Sequence, residues 1–120
     1  MSTRTGIPHL SAPTTSAGSE MTPILGETHE SRKTTRLDKS MFPATVIYDV
    51  DLTMSPPPST CEVSGVNAIA HAIEALYARN ANPIMSLLPF EGVKALVESL
   101  PQIVSEPSSR PARELALYDA

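Results

Sequence analysis

The chain has 120 residues and a formal net charge of −4, with 41 % apolar residues, 18 % charged residues and twelve prolines. That length allows one ordinary domain, but proline is at about double its usual ~5 % and charge falls below the usual ~25 %, which suits neither a disordered chain nor an economical self-contained core. The acidic balance gives no footprint for nucleic acid, no apolar run approaches the ~20 residues of a membrane span, and the single cysteine, Cys61, excludes an internal disulfide and a cysteine-based zinc cluster.

Met1 to Gly6 is polar and lacks the apolar stretch of a secretory signal, so a reducing, cytoplasmic location is expected. Ile7 to Leu10 reads as the end of a strand interrupted by Pro8. Ser11 to Glu20, small and hydroxylated, reads as a loop or a loop entering a helix turn. Met21 to Thr28, with Pro23 and Gly26, reads as a short edge strand. Glu27 to Arg32 reads as a turn, and Lys33 to Leu37, with two adjacent threonines, as the return strand of a hairpin. Ala44 to Tyr48 is the clearest strand, and its continuous apolar character predicts a buried parallel one.

Pro56, Pro57 and Pro58 then mark a boundary, with helix afterwards. Ser64 to Ala78 has helical spacing: Val66, Ala70, Ile73 and Tyr77 form the expected apolar face, widened by Ile69, Ala72 and Leu76. Asn82 followed by Pro83 predicts the start of the next helix, with an apolar stripe of Ile84, Leu87, Leu88, Leu96, Val97 and Leu100. Pro89 lies inside that stripe and is expected to kink or break the helix, at about 3 kcal/mol if exposed. Ser108 is expected to cap a last short helix reaching Tyr118. The predicted class is α/β then all-α: strands and loops over 1–52, helices over 53–120.

Three segments carry residues suited to chemistry. Hydroxyls and backbone N–H groups in Pro13-Thr14-Thr15-Ser16-Ala17-Gly18-Ser19-Glu20 can hold phosphate or ribose oxygens, although a plain connection is the commoner use of such a loop. Asn67 and His71 stand four apart on the predicted helix, facing one way, with Glu74 near that face. An imidazole and a carboxylate at such spacing can share a metal ion, but Asn is a much poorer ligand, and a hydrogen-bonded histidine is the commoner reading. Asp49 and Asp51 follow the predicted strand at its carboxyl end, where open α/β sheets bind ligands; the alternative is a solvated loop with an Asp capping the next segment.

Taken together and in this order, the segments resemble the maleylacetate reductase branch of the iron-containing alcohol dehydrogenase family. The resemblance rests on Pro13-Thr14-Thr15 with Ala17-Gly18-Ser19-Glu20-Met21-Thr22-Pro23, on Lys33-Thr34-Thr35-Arg36, on Thr45 to Thr53, and on Ser64-Gly65 with Asn67-Ala68-Ile69-Ala70-His71 and Glu74 to Arg79. It covers the chain from about Ile7 to Tyr118. It implies the dehydroquinate-synthase-like fold, in which an α/β nucleotide-binding domain meets an all-helical domain across the active-site cleft. The end of the first domain falls on 1–52 and the first helices of the second on 53–120. It further implies NADH or NADPH as cofactor, with Thr14, Thr15, Lys33 and Val50 lining its site, and reduction of maleylacetate, a small dicarboxylate, to 3-oxoadipate in aromatic compound catabolism. Asn67 and His71 fall on two of the family's four metal positions. Asn67 replaces an aspartate there, so a metal (iron or zinc in relatives) is not expected to be required, and His71 is expected to bind or polarise the substrate. Neither nucleic acid nor membrane is an expected partner, and the family allows a homodimer in full-length relatives.

The sequence departs from the family in lacking its glycine-rich pyrophosphate loop and two further histidines, since His9 and His29 do not match them. Ser16 stands where an aromatic is usual, Pro57, Pro58 and Glu62 where smaller or apolar residues lead into a helix, and Pro89 where a helix runs on. The expectation is therefore an internal piece of such an enzyme, marginally stable and inactive alone. The alternatives are a non-catalytic remnant or interaction module, and a metal-dependent alcohol dehydrogenase.

Overall fold

A computed structural model describes residues 6–79, 82–83 and 86–118, the side chain of Leu25 excepted. The chain divides into two units: one of residues up to Ala12 plus Gly18–Ile47, the other of Pro13–Ala17 plus everything from Tyr48. Strands come first and helices follow.

The first unit holds two small sheets. β1 (Leu10–Ser11) pairs in parallel with β4 (Thr45–Val46), flanked by Ala44 N–H to His9 O at 2.9 Å and Ile47 N–H to Ser11 O at 2.8 Å. β2 (Ile24–His29) and β3 (Arg32–Leu37) form the expected antiparallel hairpin, in register from Ile24 opposite Leu37 to His29 opposite Arg32. Glu30 and Ser31 close it with φ of 49° and 62°, the left-handed pair that matches strand twist in a two-residue turn. Neither is the Gly or Asn that adopts this conformation cheaply. Gly18, at φ 67°, sits where the loop turns into a short 3-10 segment at Ser19–Met21.

The strand expected over Ala44 to Tyr48 is shorter and less covered than predicted. Only Thr45 and Val46 pair, and Ile47 and Tyr48 are 51 % and 47 % exposed. A strand is buried on both faces only where elements cover both, and β1 is the one strand that pairs with this segment among the described residues.

The helical unit contains α1 (Val50–Thr53), α2 (Pro58–Leu76), α3 (Leu87–Ser105) and α4 (Arg110–Tyr118). α2 starts at Pro58, whose fixed φ and missing N–H suit a first helical position, so the proline run opens the helix. Pro89 is harmless for a related reason: it falls in the first turn of α3, where no intrahelical acceptor is lost. Pro101 is the interior proline. It deprives the Val97 carbonyl of its partner, on a face where Val97 is exposed and water can serve. The Asn82 carbonyl accepts from both N–H and Oγ of Ser86 at 3.0 Å, and regular helix begins only at Leu87. Ile84 lies outside the described residues. Ser109, one place later than expected, precedes α4 and accepts from Arg113 N–H at 3.1 Å.

α3 packs against both α2 and α4, and α1 packs on α4. The core is Cys61 and Ala68 of α2, Leu96 and Ile103 of α3, and Ala112 and Ala116 of α4, with Ile69 and Leu100 against it. The buried face of α2 is thus Cys61, Ser64, Gly65 and Ala68. The expected primary face is solvent-facing instead: Val66 is 60 % and Tyr77 72 % exposed, and Ala70 and Ile73 are exposed too. The reason is close approach. Leu100 fills the space a side chain on Gly65 would need, with Cδ2 2.5 Å from an ideal Cβ, and a helix crossing through small residues carries little hydropathy signal. Among the described residues no helix is long and apolar enough to cross a membrane.

Candidate functional site

Pro13–Ala17 lies between β1 and the first 3-10 turn in sequence, yet it groups with the helices. Beside it opens a cavity of about 580 Å³, lined by Thr15, Ala17, Ser59, Thr60, Val63, Ser64 and Asn67. This volume falls within the range of small-molecule sites, roughly 300–1,000 Å³. The structure therefore brings together Thr15 and Asn67, which the sequence holds 52 positions apart. Ser59 and Thr60 add hydroxyls in the first turn of α2, and Ser64 Oγ is held by Cys61 O at 3.1 Å. Every polar side chain among the lining residues is a neutral hydroxyl or carboxamide. Such a lining suits the amide and ribose edge of a nicotinamide cofactor and does not repel an anion.

The other expected site residues are placed as follows. Thr14 is exposed and lines, with Thr15 and Ser16, a second and much smaller cavity. Val50 is buried at the start of α1, and its carbonyl accepts from Thr53 Oγ1 at 2.7 Å. Lys33 is an exposed residue of β3 in the first unit. His71 follows Asn67 by one turn but does not line the larger cavity; its Nδ1 lies 3.6 Å from Glu74 Oε2, both side chains being 63 % exposed.

Asp49 takes the capping role, accepting from Asp51 N–H at 3.0 Å at the start of α1. Asp51 pairs with Arg110, which also donates to Glu114 Oε1 at 3.0 Å, and the two carboxylates raise the Arg110 pKa above its ordinary value. Among the described residues no three of His, Cys, Asp or Glu gather as a metal site. Asn67 and His71 together offer one imidazole and a weak amide oxygen, which does not fit a bound metal.

Sequence reasoning missed Ser59, Thr60, Ser64 and Arg113. The hydroxyl pair directly after Pro58 was a usable signal, since the first turn of a helix carries free N–H groups. Arg113 is buried between Ala112 and Ala116 on the apolar stripe of α4, where a cation at core spacing stands out.

Residues 62–120 match the model of the Fe-containing alcohol dehydrogenase family, C-terminal part. Over 117 residues the chain is 50 % identical to a maleylacetate reductase of Rhizobium sp. (strain MTP-10005), a match covering 98 % of this chain and 33 % of the relative. The crystal structure of the maleylacetate reductase from that strain superposes with a TM-score of 0.91 at 49 % identity, over 98 % of this chain and 34 % of that one. A sulfoacetaldehyde reductase from Bifidobacterium kashiwanohense, in complex with NAD+, superposes with a TM-score of 0.87 at 29 % identity, over 94 % of this chain and 31 % of that one. The chain spans about a third of the length of the curated relatives it matches.

Proposed function

We propose that this chain, which belongs to the Fe-containing alcohol dehydrogenase family, carries part of the site of an NAD(P)H-dependent maleylacetate reductase, converting maleylacetate to 3-oxoadipate. One observation carries the reading: Thr15 and Asn67, from the two segments that most resemble such enzymes, line one neutral, hydroxyl-rich cavity.

The bound cofactor supplies the hydride. The double bond of maleylacetate is conjugated with its keto group, so hydride addition at the far carbon leaves an enolate with negative charge on the keto oxygen, and a proton from solvent at the carbon beside the keto group completes 3-oxoadipate. A hydrogen-bond donor at that oxygen lowers the barrier. The Asn67 carboxamide is such a donor and, being neutral, does not repel the dianionic substrate. His71, one turn further along α2, binds a substrate carboxylate or polarises the carbonyl. Thr14 and Thr15 hold the nicotinamide and ribose, and Val50 lines the same cofactor site. With Asn67 at the position of a carboxylate ligand, no metal is required. In this reading residues 1–52 belong to the nucleotide-binding domain and 53–120 to the helical domain of a cytoplasmic enzyme.

The test is a titration of the chain with NADH, followed by nicotinamide fluorescence, beside Thr15→Val. Saturable binding that weakens about tenfold on losing one hydroxyl donor is expected; binding that ignores the substitution overturns the role of Thr15, and no binding overturns the cofactor site. A second reading, an interaction module, is favoured by the uncovered apolar side chains of Val63, Val66 and Ile73 on α2 and of Tyr77 just after it. Co-elution of the chain with a full-length maleylacetate reductase in gel filtration would support it, and separate elution would count against it.

A further inference from the structure

α1 is a single turn of four residues, far short of the roughly 12–15 residues with which a helix begins to hold by itself. Its start is capped from within, by Asp49. Most of its carbonyls are also served at close range. Val50 O accepts from Thr53 Oγ1 at 2.7 Å, Asp51 O from Met54 N–H at 3.3 Å and Leu52 O from Ser55 Oγ at 3.5 Å. Thr53 O is the exception among the described residues: its donor is Arg113 Nη1 of α4, 60 positions along the chain.

Arg113 is only 3 % exposed. Its Nη1 also donates to Cys61 Sγ of α2 at 2.7 Å, and its Nη2 to Pro107 O of the α3–α4 connection at 3.0 Å. A buried guanidinium is tolerated only where such bonds stand in for its water, and its planar fork fixes several acceptors in one geometry. α4 reaches α1 a second time, through Arg110 and Asp51, but those side chains are 53 % and 67 % exposed, and an exposed ion pair holds little. The bond to Thr53 O is buried, where a carbonyl that loses its donor stays unsatisfied.

We propose that Arg113 is a positioning residue: by holding Thr53 O it fixes α1 on α4 and so sets the place of Val50, buried at the other end of the turn. Thr53 joins the two ends, since its carbonyl accepts from Arg113 while its hydroxyl donates to Val50 O. The consequence for cofactor binding rests on the proposed function, in which Val50 lines the cofactor site; the clamp itself does not.

Three measurements on the full chain test it. In the wild-type protein the Arg113 Nη1 and Nη2 protons are expected to give separate NMR signals, because the fork cannot rotate; one averaged signal overturns the clamp. Amide exchange at Leu52 and Met54 is then compared between wild type, Arg113→Met, which keeps the length and removes the donors, and Arg110→Gln. Arg113→Met is expected to raise it about tenfold, the worth of one charge-assisted hydrogen bond, while α3 stays within about twofold and Arg110→Gln moves α1 by less than about threefold. Unchanged exchange in α1, an equal rise over α3, or an equal effect of Arg110→Gln overturns the assignment. Last, NADH affinity is expected to fall about tenfold in Arg113→Met; equal affinity with a loosened α1 overturns the positioning of the cofactor site. If wild type does not bind NADH, the proposed function fails while the exchange result still decides the clamp.

Discussion

Replacing Gly65 with alanine tests the close crossing of α2 and α3. An ideal Cβ at Gly65 would lie 2.5 Å from Leu100 Cδ2, 2.8 Å from Cδ1 and 3.1 Å from Cγ. Carbon atoms in contact sit at roughly 3.5–4.0 Å, so Leu100 has to retreat by about 1 Å, and the proximity of Cγ means that rotating the terminal methyls is not enough. Over-packing of this kind costs about 1–3 kcal/mol, and alanine returns about 1 kcal/mol of helix propensity over glycine. The net expectation is destabilisation by about 1 kcal/mol. Leu100→Ala removes the obstructing atoms, and in that background Gly65→Ala is expected to stabilise by about 1 kcal/mol. The sign therefore reverses, with a coupling of about 2 kcal/mol. Urea unfolding followed by helical circular dichroism on the four variants measures it. A stabilising Gly65→Ala in the wild-type background, or a coupling under about 0.5 kcal/mol, would refute the crossing.

The other predictions concern the turn, a carboxyl group and the site. Glu30→Asn with Ser31→Gly keeps the left-handed turn and is expected to stabilise the β2–β3 hairpin by about 1–2 kcal/mol, read as slower amide exchange in β2 and β3. Asp38 accepts from Ser40 Oγ at 2.7 Å and from Ser40 N–H at 3.0 Å, and these bonds hold its carboxyl pKa below the ordinary value. The folded pKa lies below the unfolded one, so the contribution is complete above the unfolded value and is lost as pH falls through the folded one; an NMR titration of Ser40→Ala is expected to move the Asp38 midpoint upward. Asn67→Asp adds a negative charge to the neutral cavity and is expected to weaken a bound dicarboxylate about tenfold or more, while increasing zinc affinity by calorimetry through the pair it forms with His71.

Some of this was legible along the chain and some was not, for identifiable reasons. The hairpin was readable because Thr34 and Thr35 are strand-formers flanked by turn residues, whereas its Glu30–Ser31 turn carries none of the usual Gly or Asn. The order of strands then helices was visible at the proline run, but not that Pro58 begins α2. The buried face of α2 was misread because contact is made through Cys61, Ser64, Gly65 and Ala68, while the larger Val66, Ile73 and Tyr77 point outward. Of the site, the Thr14–Thr15 loop and Asn67 each stood out locally. Their convergence depends on the loop packing with the helices, a long-range contact that no periodicity encodes.

If these residues serve maleylacetate reduction, they must do so within a full-length relative. The segment of the Rhizobium maleylacetate reductase that this chain matches is replaced by the chain, and NADH oxidation with maleylacetate is measured. Retained turnover that falls on Asn67→Asp is expected. A folded chimera that binds NADH but does not turn over maleylacetate would contradict it.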